Sequence, residues 1–432
     1  MSAVRFSLDG DPLDAQPGDT LAAALLRNGV TTFTRSIKYH RPRGPFCFSG
    51  TCGQCLVRVD GVPSLPACRV PVVEGMACER QNAPLGSVDT DLLRAADFVF
   101  SSGLDHHHLM TGSRLLGRVT LEVARRLAGL GQLPSAEPPA LRGEMRKIQI
   151  AVVGAGPAGI AAARAAKAAG AGVLLVERDA RAGGAALLGI DPLGADAGWV
   201  ARELASADLT PLDLRTSAEA IGLYPNESSG GLLAVRVRGR LLVIDAARVI
   251  VATGGVPQPL PFAGVDRPGV HAARGLLKLH AECGLRVGAS LAVVGDGKEV
   301  VDCARALRVA GYTLARVVST GDGHPPADDL AILHAQPLRA LGNPVRALDV
   351  SEGPRIRCDA VALAWPPSPA HELATGSGAH AGFSPELNGF PLQVDADGRT
   401  TVPWIFAAGR VCGLGGASAV SSGTAAGTAA AR

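Results

Sequence analysis

Cys47, Cys52, Cys55 and Cys68 follow one another as C-x4-C-x2-C-x12-C in the run FCFSGTCGQCLVRVDGVPSLPAC. Three thiols on one loop and a fourth from the segment that follows form the donor set of a two-iron cluster, which implies one-electron chemistry. Gly50 and Gly53 stand between the cysteines, where the loop must turn tightly and aim backbone N–H groups at sulfur with no Cβ in the way. A structural zinc site usually shows two matched C-x2-C knuckles, and here only Cys52 and Cys55 make one. A pair of disulfides goes with a secretory leader, whereas MSAVRFSLDGDPL is polar and alternating. The other five cysteines, Cys78, Cys283, Cys303, Cys358 and Cys412, are scattered and are expected to be small buried or half-buried thiols.

A second run with chemical content is Gly154-Ala155-Gly156-Pro157-Ala158-Gly159, which follows a short apolar strand at 148–153 and opens an Ala-rich helix. In such a turn the first glycine bends the chain, the second lets backbone approach a pyrophosphate, and the third packs helix on strand. The next strand ends at Glu177, twenty-three residues after Gly154, where a carboxylate can hold the ribose hydroxyls of an adenosine. Strand, turn, helix and acid together predict an adenine dinucleotide site, and Arg178 with the pair Gly183-Gly184 fits its FAD-type variant. A later turn, Gly295-Asp296-Gly297-Lys298-Glu299-Val300, lacks the third glycine. Val300 is expected to hinder helix–strand packing, Asp296 puts negative charge where a pyrophosphate would lie, and the following strand ends in Ser319-Thr320 with no acid. This second unit reads as a retained domain that packs against a partner rather than as a productive NAD(P)H site.

Both sites need scaffolds. VRFSLDG and PLDAQ alternate as two strands about Asp9-Gly10-Asp11, and Gly18-Asp19-Thr20 opens a helix that runs to Gly29, which is how a β-grasp fold begins. At 432 residues the chain exceeds one core. The expected divisions are a β-grasp [2Fe-2S] domain at 1–85, a helical bridge and linker at 86–146, the first part of an FAD-binding domain at 147–256, a degenerate NAD-binding-like domain at 257–365 and the second part of the FAD-binding domain at 366–432. His106, His107 and His108 in the bridge cannot all face one metal from a helix and read as a polar loop. Basic and acidic residues number 42 and 39, so no basic excess exists to draw nucleic acid or anionic lipid. No apolar run approaches the roughly eighteen residues of a membrane span, and a soluble cytoplasmic protein is expected.

The first 85 residues or so resemble the small [2Fe-2S] domain of succinate dehydrogenase iron–sulfur subunits, molybdenum hydroxylases and heteromeric sarcosine-oxidase-type proteins. The remainder resembles the two-dinucleotide flavoproteins, such as thioredoxin and glutathione reductases. RVIVATGG matches the crossing that puts Ala252, Thr253 and Gly254 near the cofactor, and TTVPWIFAAGRVCG matches the strand that closes over the flavin's ribityl chain. Where that family has Gly-Asp, this chain has Gly409-Arg410, and an arginine cannot accept a ribityl hydrogen bond although it can pair with phosphate. The resemblance implies FAD, with NAD or a passive adenine nucleotide in the same site as alternatives. The implied fold class is α/β, a β-grasp ferredoxin domain followed by a two-dinucleotide Rossmann flavoprotein.

That order of domains resembles the α subunits of heteromeric sarcosine and opine oxidases, hydroxyproline and L-proline dehydrogenases and hydrogen cyanide synthase. The resemblance runs through RPRGPFCFSGTCGQCLVRVDG, ATGGVPQPLPFAGVDRPGVHAARGLLK and CDAVALAWPPSPAHELA. It implies cofactor contacts and no acid–base catalysts in this chain. A partner β subunit of the D-amino-acid-oxidase type takes a hydride from the carbon next to nitrogen on its own FAD. Electrons then reach this chain, in some relatives through an FMN at the subunit interface, and leave through the cluster to a downstream acceptor. The alternatives are a self-sufficient NAD(P)H-dependent flavin and iron–sulfur reductase, and a scaffold that holds nucleotides without turnover.

Overall fold

The computed structural model describes residues 3–37, 39–83, 87–95, 117–118, 143–190, 212–237, 239–321, 323–325 and 327–432. His106, His107, His108 and most of the bridge lie outside these residues. Two compact units emerge, one from Met1–Pro138 with Pro259–Trp365 and the other from Pro139–Gln258 with Pro366–Arg432.

Strands β1 (Val4–Leu8) and β2 (Asp11–Ala15) form an antiparallel hairpin. Asp9 and Gly10 at its tip both have positive φ, 53° and 97°, which is the turn geometry that matches strand twist and that Asp-Gly favours. Helix α1 (Leu21–Arg27) begins where Thr20 Oγ1 accepts the Ala23 N–H at 3.3 Å, and it buries Leu21 to Leu25. With β3 (Leu56–Val59), β4 (Val62–Pro66) and β5 (Met76–Glu79) the sheet order is β2-β1-β5-β3-β4, β1 and β5 being parallel. The cysteine loop precedes β3, and Cys68 follows β4 in a short 3₁₀ turn, Ala67–Arg69.

The next strand, β6 (Gly143–Val153), is eleven residues long, so it extends well before the apolar stretch at 148–153. Its polar first half is held because a long neighbour runs beside all of it. After α2 (Pro157–Ala168), β7 (Val173–Val176), β8 (Asp213–Arg215), β9 (Ala218–Asn226) and β10 (Gly230–Val237), that neighbour is β11 (Arg240–Val251). β11 pairs in parallel with β6 from Leu241↔Gly143 to Val251↔Val153. The sheet order is β8-β7-β6-β11-β10-β9.

The insert at 259–365 carries its own parallel sheet. Its elements are β12 (Val270–Ala272), α3 (Ala273–Cys283), β13 (Ser290–Gly295), α4 (Gly297–Val309), β14 (Thr313–Ser319), β15 (Ile332–His334) and β16 (Ala360–Ala364). They are ordered β12-β16-β13-β14-β15. Val300 does not keep α4 off this sheet, contrary to expectation. Its side chain is fully buried, so the apolar volume fills the place the third glycine would have left.

The chain then returns to the other unit. β17 (Ile405–Ala407) pairs in parallel with β11, and α5 (Gly416–Ala430) lies on α2. A Cβ on Gly423 would sit 2.1 Å from Ala158 O, and one on Gly427 would sit 2.1 Å from Ala162 O. The two helices therefore meet backbone to backbone.

Candidate functional site

Four thiols separated by up to 21 residues are brought into one pocket. Cys47 touches Cys52 and Cys68, and Cys55 touches Cys68. The loop bends through Phe48, Gly50 and Gly53 at φ of 51°, 78° and 65°. Gly53 is needed for its backbone conformation alone, since a Cβ there meets nothing within 4 Å. At Gly50 space also matters, because a Cβ would lie 2.7 Å from the Arg69 side chain. Ser49 N–H points at Cys47 Sγ from 3.4 Å.

Cys47, Cys55 and Cys68 are buried and Cys52 is half-buried. Hydrogen bonds from Cys52 and then Cys68 pull the Cys47 thiol down, while contact with Cys47 and Cys55, followed by burial, holds Cys68 up. Soft donors crowded in this way fit iron, which takes them as thiolates. The contacts form one chain, Cys52 to Cys47 to Cys68 to Cys55, so the four thiols make a single group. Among the described residues no three His, Cys, Asp or Glu side chains are grouped to hold one ion.

The glycine turn after β6 divides its work. Gly154 has φ of 100°, and a Cβ there would lie 2.3 Å from Ala252 O. A Cβ on Gly159 would lie 1.8 Å from Gly154 O, whereas one on Gly156 meets nothing within 4 Å. The open side is therefore at Gly156, at the N-terminus of α2, with Pro157 in its first turn and Ala158 beneath. Gly184 lies beside it, since its Cβ would come 3.1 Å from Gly156 Cα, and Gly183 N–H donates to Ala155 O at 2.8 Å.

Glu177 follows β7 directly, and its carboxylate accepts from Ala155 N–H at 2.7 Å and from Asp179 N–H at 2.8 Å. Burial pushes this carboxyl up, against those two bonds, which favour the charge. Arg178 is half-buried next to it. Ala252 N–H donates to Val153 O at 2.8 Å, Thr253 Oγ1 donates to Ala370 O at 2.6 Å, and Gly254 has φ of 75°. Gly409 has φ of 79°, and a Cβ there would lie 2.6 Å from Ala158 Cβ. Arg410 donates through Nε and Nη2 to Pro367 O at 3.2 and 3.0 Å. Every predicted residue of this site thus lies in one unit.

The 2Fe-2S iron–sulfur cluster binding domain family matches residues 1–83, and the pyridine nucleotide-disulphide oxidoreductase family matches residues 148–325. The chain is similar to sarcosine oxidase subunit alpha of Rhizobium meliloti (strain 1021), 31% identical over 419 residues, which is 90% of this chain and 42% of that protein. It is similar to hydrogen cyanide synthase subunit HcnA of Pseudomonas aeruginosa, 35% identical over 79 residues, 18% of this chain and 75% of that protein. Over its iron–sulfur segment the chain belongs to the family of hydrogen cyanide synthase subunit HcnA. It spans less than half the length of the sarcosine oxidase subunit it matches.

L-proline dehydrogenase from P. horikoshii shares its fold with this chain, with a TM-score of 0.71 at 22% identity over 100% of this chain and 72% of that one. The architecture is accordingly a 2Fe-2S iron–sulfur cluster binding domain ahead of a Rossmann-type region of the pyridine nucleotide-disulphide oxidoreductase family. No helix among the described residues is long and apolar enough to cross a membrane.

The second glycine turn carries charged side chains of its own, although a Cβ on Gly297 would meet nothing within 4 Å. Glu299 forms a two-pronged ion pair with Arg274 at 2.5 and 2.8 Å, and Lys298 pairs with Asp302. Asp296 Oδ1 is buried without a hydrogen-bond partner and faces Gly321, where a Cβ would lie 2.6 Å away. In place of a ribose-binding acid, Ser319 Oγ donates to Gly321 O at 2.7 Å and Thr320 Oγ1 donates to Gly295 O at 3.2 Å.

The scattered thiols behave as small apolar groups. Burial pushes Cys78 and Cys412 up to about 12 and Cys358 up to about 11.

Sequence spacing gave no sign of His271. Its Nδ1–H donates to Pro45 O at 2.7 Å, and its Nε2 is buried with no partner. Complete burial pushes the imidazole down to about 4. No residue pattern announces such a contact, because 226 positions separate His271 from Pro45.

Proposed function

We propose that this chain is the electron-transfer subunit of a heteromeric flavin-dependent amine or amino-acid dehydrogenase or oxidase. A separate, substrate-oxidising flavoprotein subunit of the D-amino-acid-oxidase type would supply the electrons. The observation that carries the reading is the pairing of four gathered thiols with a second nucleotide turn that holds the buried carboxylate of Asp296 and is followed by no ribose-binding acid. A nicotinamide donor has no acid to hold its ribose there and would meet the Asp296 carboxyl in the turn that should take its phosphates.

Cys47, Cys52, Cys55 and Cys68 would hold the [2Fe-2S] cluster. Gly154, Gly156, Pro157, Ala158, Gly159, Gly184, Ala252, Thr253, Gly254, Gly409 and Arg410 would line the dinucleotide, with Glu177 toward its ribose. When bound, a flavin takes electrons in pairs and gives them up singly, and the cluster carries one at a time. The residues' own tasks are passive. The Gly156 opening admits the pyrophosphate, Glu177 orients the adenosine end, and the buried thiols exclude water from the iron. An FMN at a subunit interface, present in some relatives, would belong to the assembled complex.

The experiment is to purify the full chain alone and with a co-expressed oxidase-like partner, then follow flavin and cluster reduction by stopped-flow absorbance. Substrate amino acid should reduce the cluster only in the two-subunit preparation. Rapid bleaching of the isolated chain by NADH or NADPH would displace this reading in favour of a self-sufficient reductase.

A further inference from the structure

The segment that delivers Cys47 is part of the insert's sheet. β12 is an edge strand of that sheet. Its outer side is taken by Pro45 and Phe46, since Ala272 N–H donates to Phe46 O at 3.0 Å and His271 donates to Pro45 O at 2.7 Å. Phe46 and Cys47 are 1% exposed and share one apolar core with Val270, Ala292, Val294 and Leu363. The Phe48 ring leans on His271 with centroids 5.7 Å apart. In the first turn of α3, a Cβ on Gly275 would fall 2.9 Å from both Cys47 O and Phe46 O. Arg43 and Asp266 add an ion pair at 3.7 Å.

We infer that the nucleotide-like insert is the wall of the iron–sulfur centre, with His271 and Gly275 as positioning residues that fix the backbone carrying Cys47. This rests on the assignment of Cys47 as a cluster ligand. An edge strand exposes backbone donors and acceptors that must be covered, and here the ligand-bearing loop is the cover. A cluster gains negative charge on reduction, and its potential depends on solvent access and on the N–H groups around its sulfurs. A closed wall keeps water from the Cys47 side and disfavours the extra charge. Opening it favours the reduced form and raises the potential. The insert thereby has a structural task that does not depend on its own glycine turn.

The test is an EPR-monitored redox titration, with iron content, on the full chain. His271→Leu removes the donor to Pro45 and keeps the bulk, while Gly275→Ala presses on Cys47 O. Both are expected to raise the midpoint, with at least a threefold change in the reduced-to-oxidised ratio at the wild-type midpoint. That is about 28 mV at 59 mV per tenfold for a one-electron couple. His271→Asn, which can still donate to Pro45 O, should move back toward wild type, and His324→Ala, which removes a ring stacked on His334 of the opposite edge strand, should leave the potential in place. Wild-type potential and iron content in both His271→Leu and Gly275→Ala overturn the proposal, and if His271→Leu fails to fold, Gly275→Ala decides alone. Loss of the reduced-state signal in the wild-type chain itself would instead refute the cluster assignment, and this inference with it.

Discussion

Gly156 and Gly159 stand three residues apart in one turn, yet a single methyl should do opposite things at the two positions. At Gly159 the Cβ would sit 1.8 Å from Gly154 O, about 1.6 Å short of ordinary contact at 3.4 Å. α2 cannot retreat to relieve this, because Gly423 and Gly427 of α5 already bring their own backbone against Ala158 O and Ala162 O on its other side. Overpacking costs about 1–3 kcal/mol, and a helix pinned on both sides sits at or beyond the upper end. The better helix propensity of alanine returns about 1 kcal/mol. Gly159→Ala should therefore lose at least about 2 kcal/mol, or roughly 4–8 °C in the melting of nucleotide-free protein.

At Gly156, φ is −78° and no atom lies within 4 Å, so Gly156→Ala should melt within about 0.5 kcal/mol of wild type. Its methyl would stand in the opening the pyrophosphate needs, and a tenfold loss of nucleotide affinity corresponds to about 1.4 kcal/mol. The assay is thermal unfolding of the apo proteins alongside chromatography of the nucleotide released on denaturation. Full nucleotide content in Gly156→Ala, or wild-type melting in Gly159→Ala, would refute the division of roles.

Cys52→Ser and Cys68→Ser should lose the reduced-state EPR signal and most of the iron while the nucleotide content stays unchanged, because the thiols and the glycine turn belong to different units; parallel loss of both would count against separate sites. Glu177 holds its proton more tightly in the folded chain than in the unfolded one, so its stabilising contribution is full below the ordinary 4.5 and is lost as pH rises through its raised value. Glu177→Gln should abolish that part of the slope in denaturant unfolding of apo protein between acid and neutral pH. Thr20→Ala removes the cap on Ala23 N–H and should cost about 1 kcal/mol by urea unfolding, with no change in cluster potential.

The parts of this molecule that could be read from sequence are those whose physics is local. Asp9-Gly10 makes a two-residue turn from its own backbone preferences, Thr20 caps a helix three residues ahead, and a glycine turn between strand and helix needs no distant partner to be recognised. The cluster loop was legible because three of its thiols lie on one short loop. What escaped depends on long-range contact. The full length of β6 is fixed by β11, nearly a hundred residues later, and its polar first half carries no strand pattern of its own. Val300 reads as an obstacle in a motif but is ordinary core in a packed domain. His271 gives no periodic or spacing signal, because its meaning comes from a carbonyl on a loop in another domain. Arg410 stood out as a departure from a pattern, but only the structure shows its guanidinium held by Pro367.

The contact between α2 and α5 has one more implication. Where Gly423 and Gly427 meet peptide carbonyls, there are no rotamers to change and no methylene to add or remove, so the spacing is set by bond lengths and van der Waals radii. The contact works as a fixed ruler beneath the dinucleotide mouth, holding the Ala158 end of α2 against the Gly409 turn. Variation in what enters this mouth must then arise in loops and side chains around an opening whose width is not adjustable.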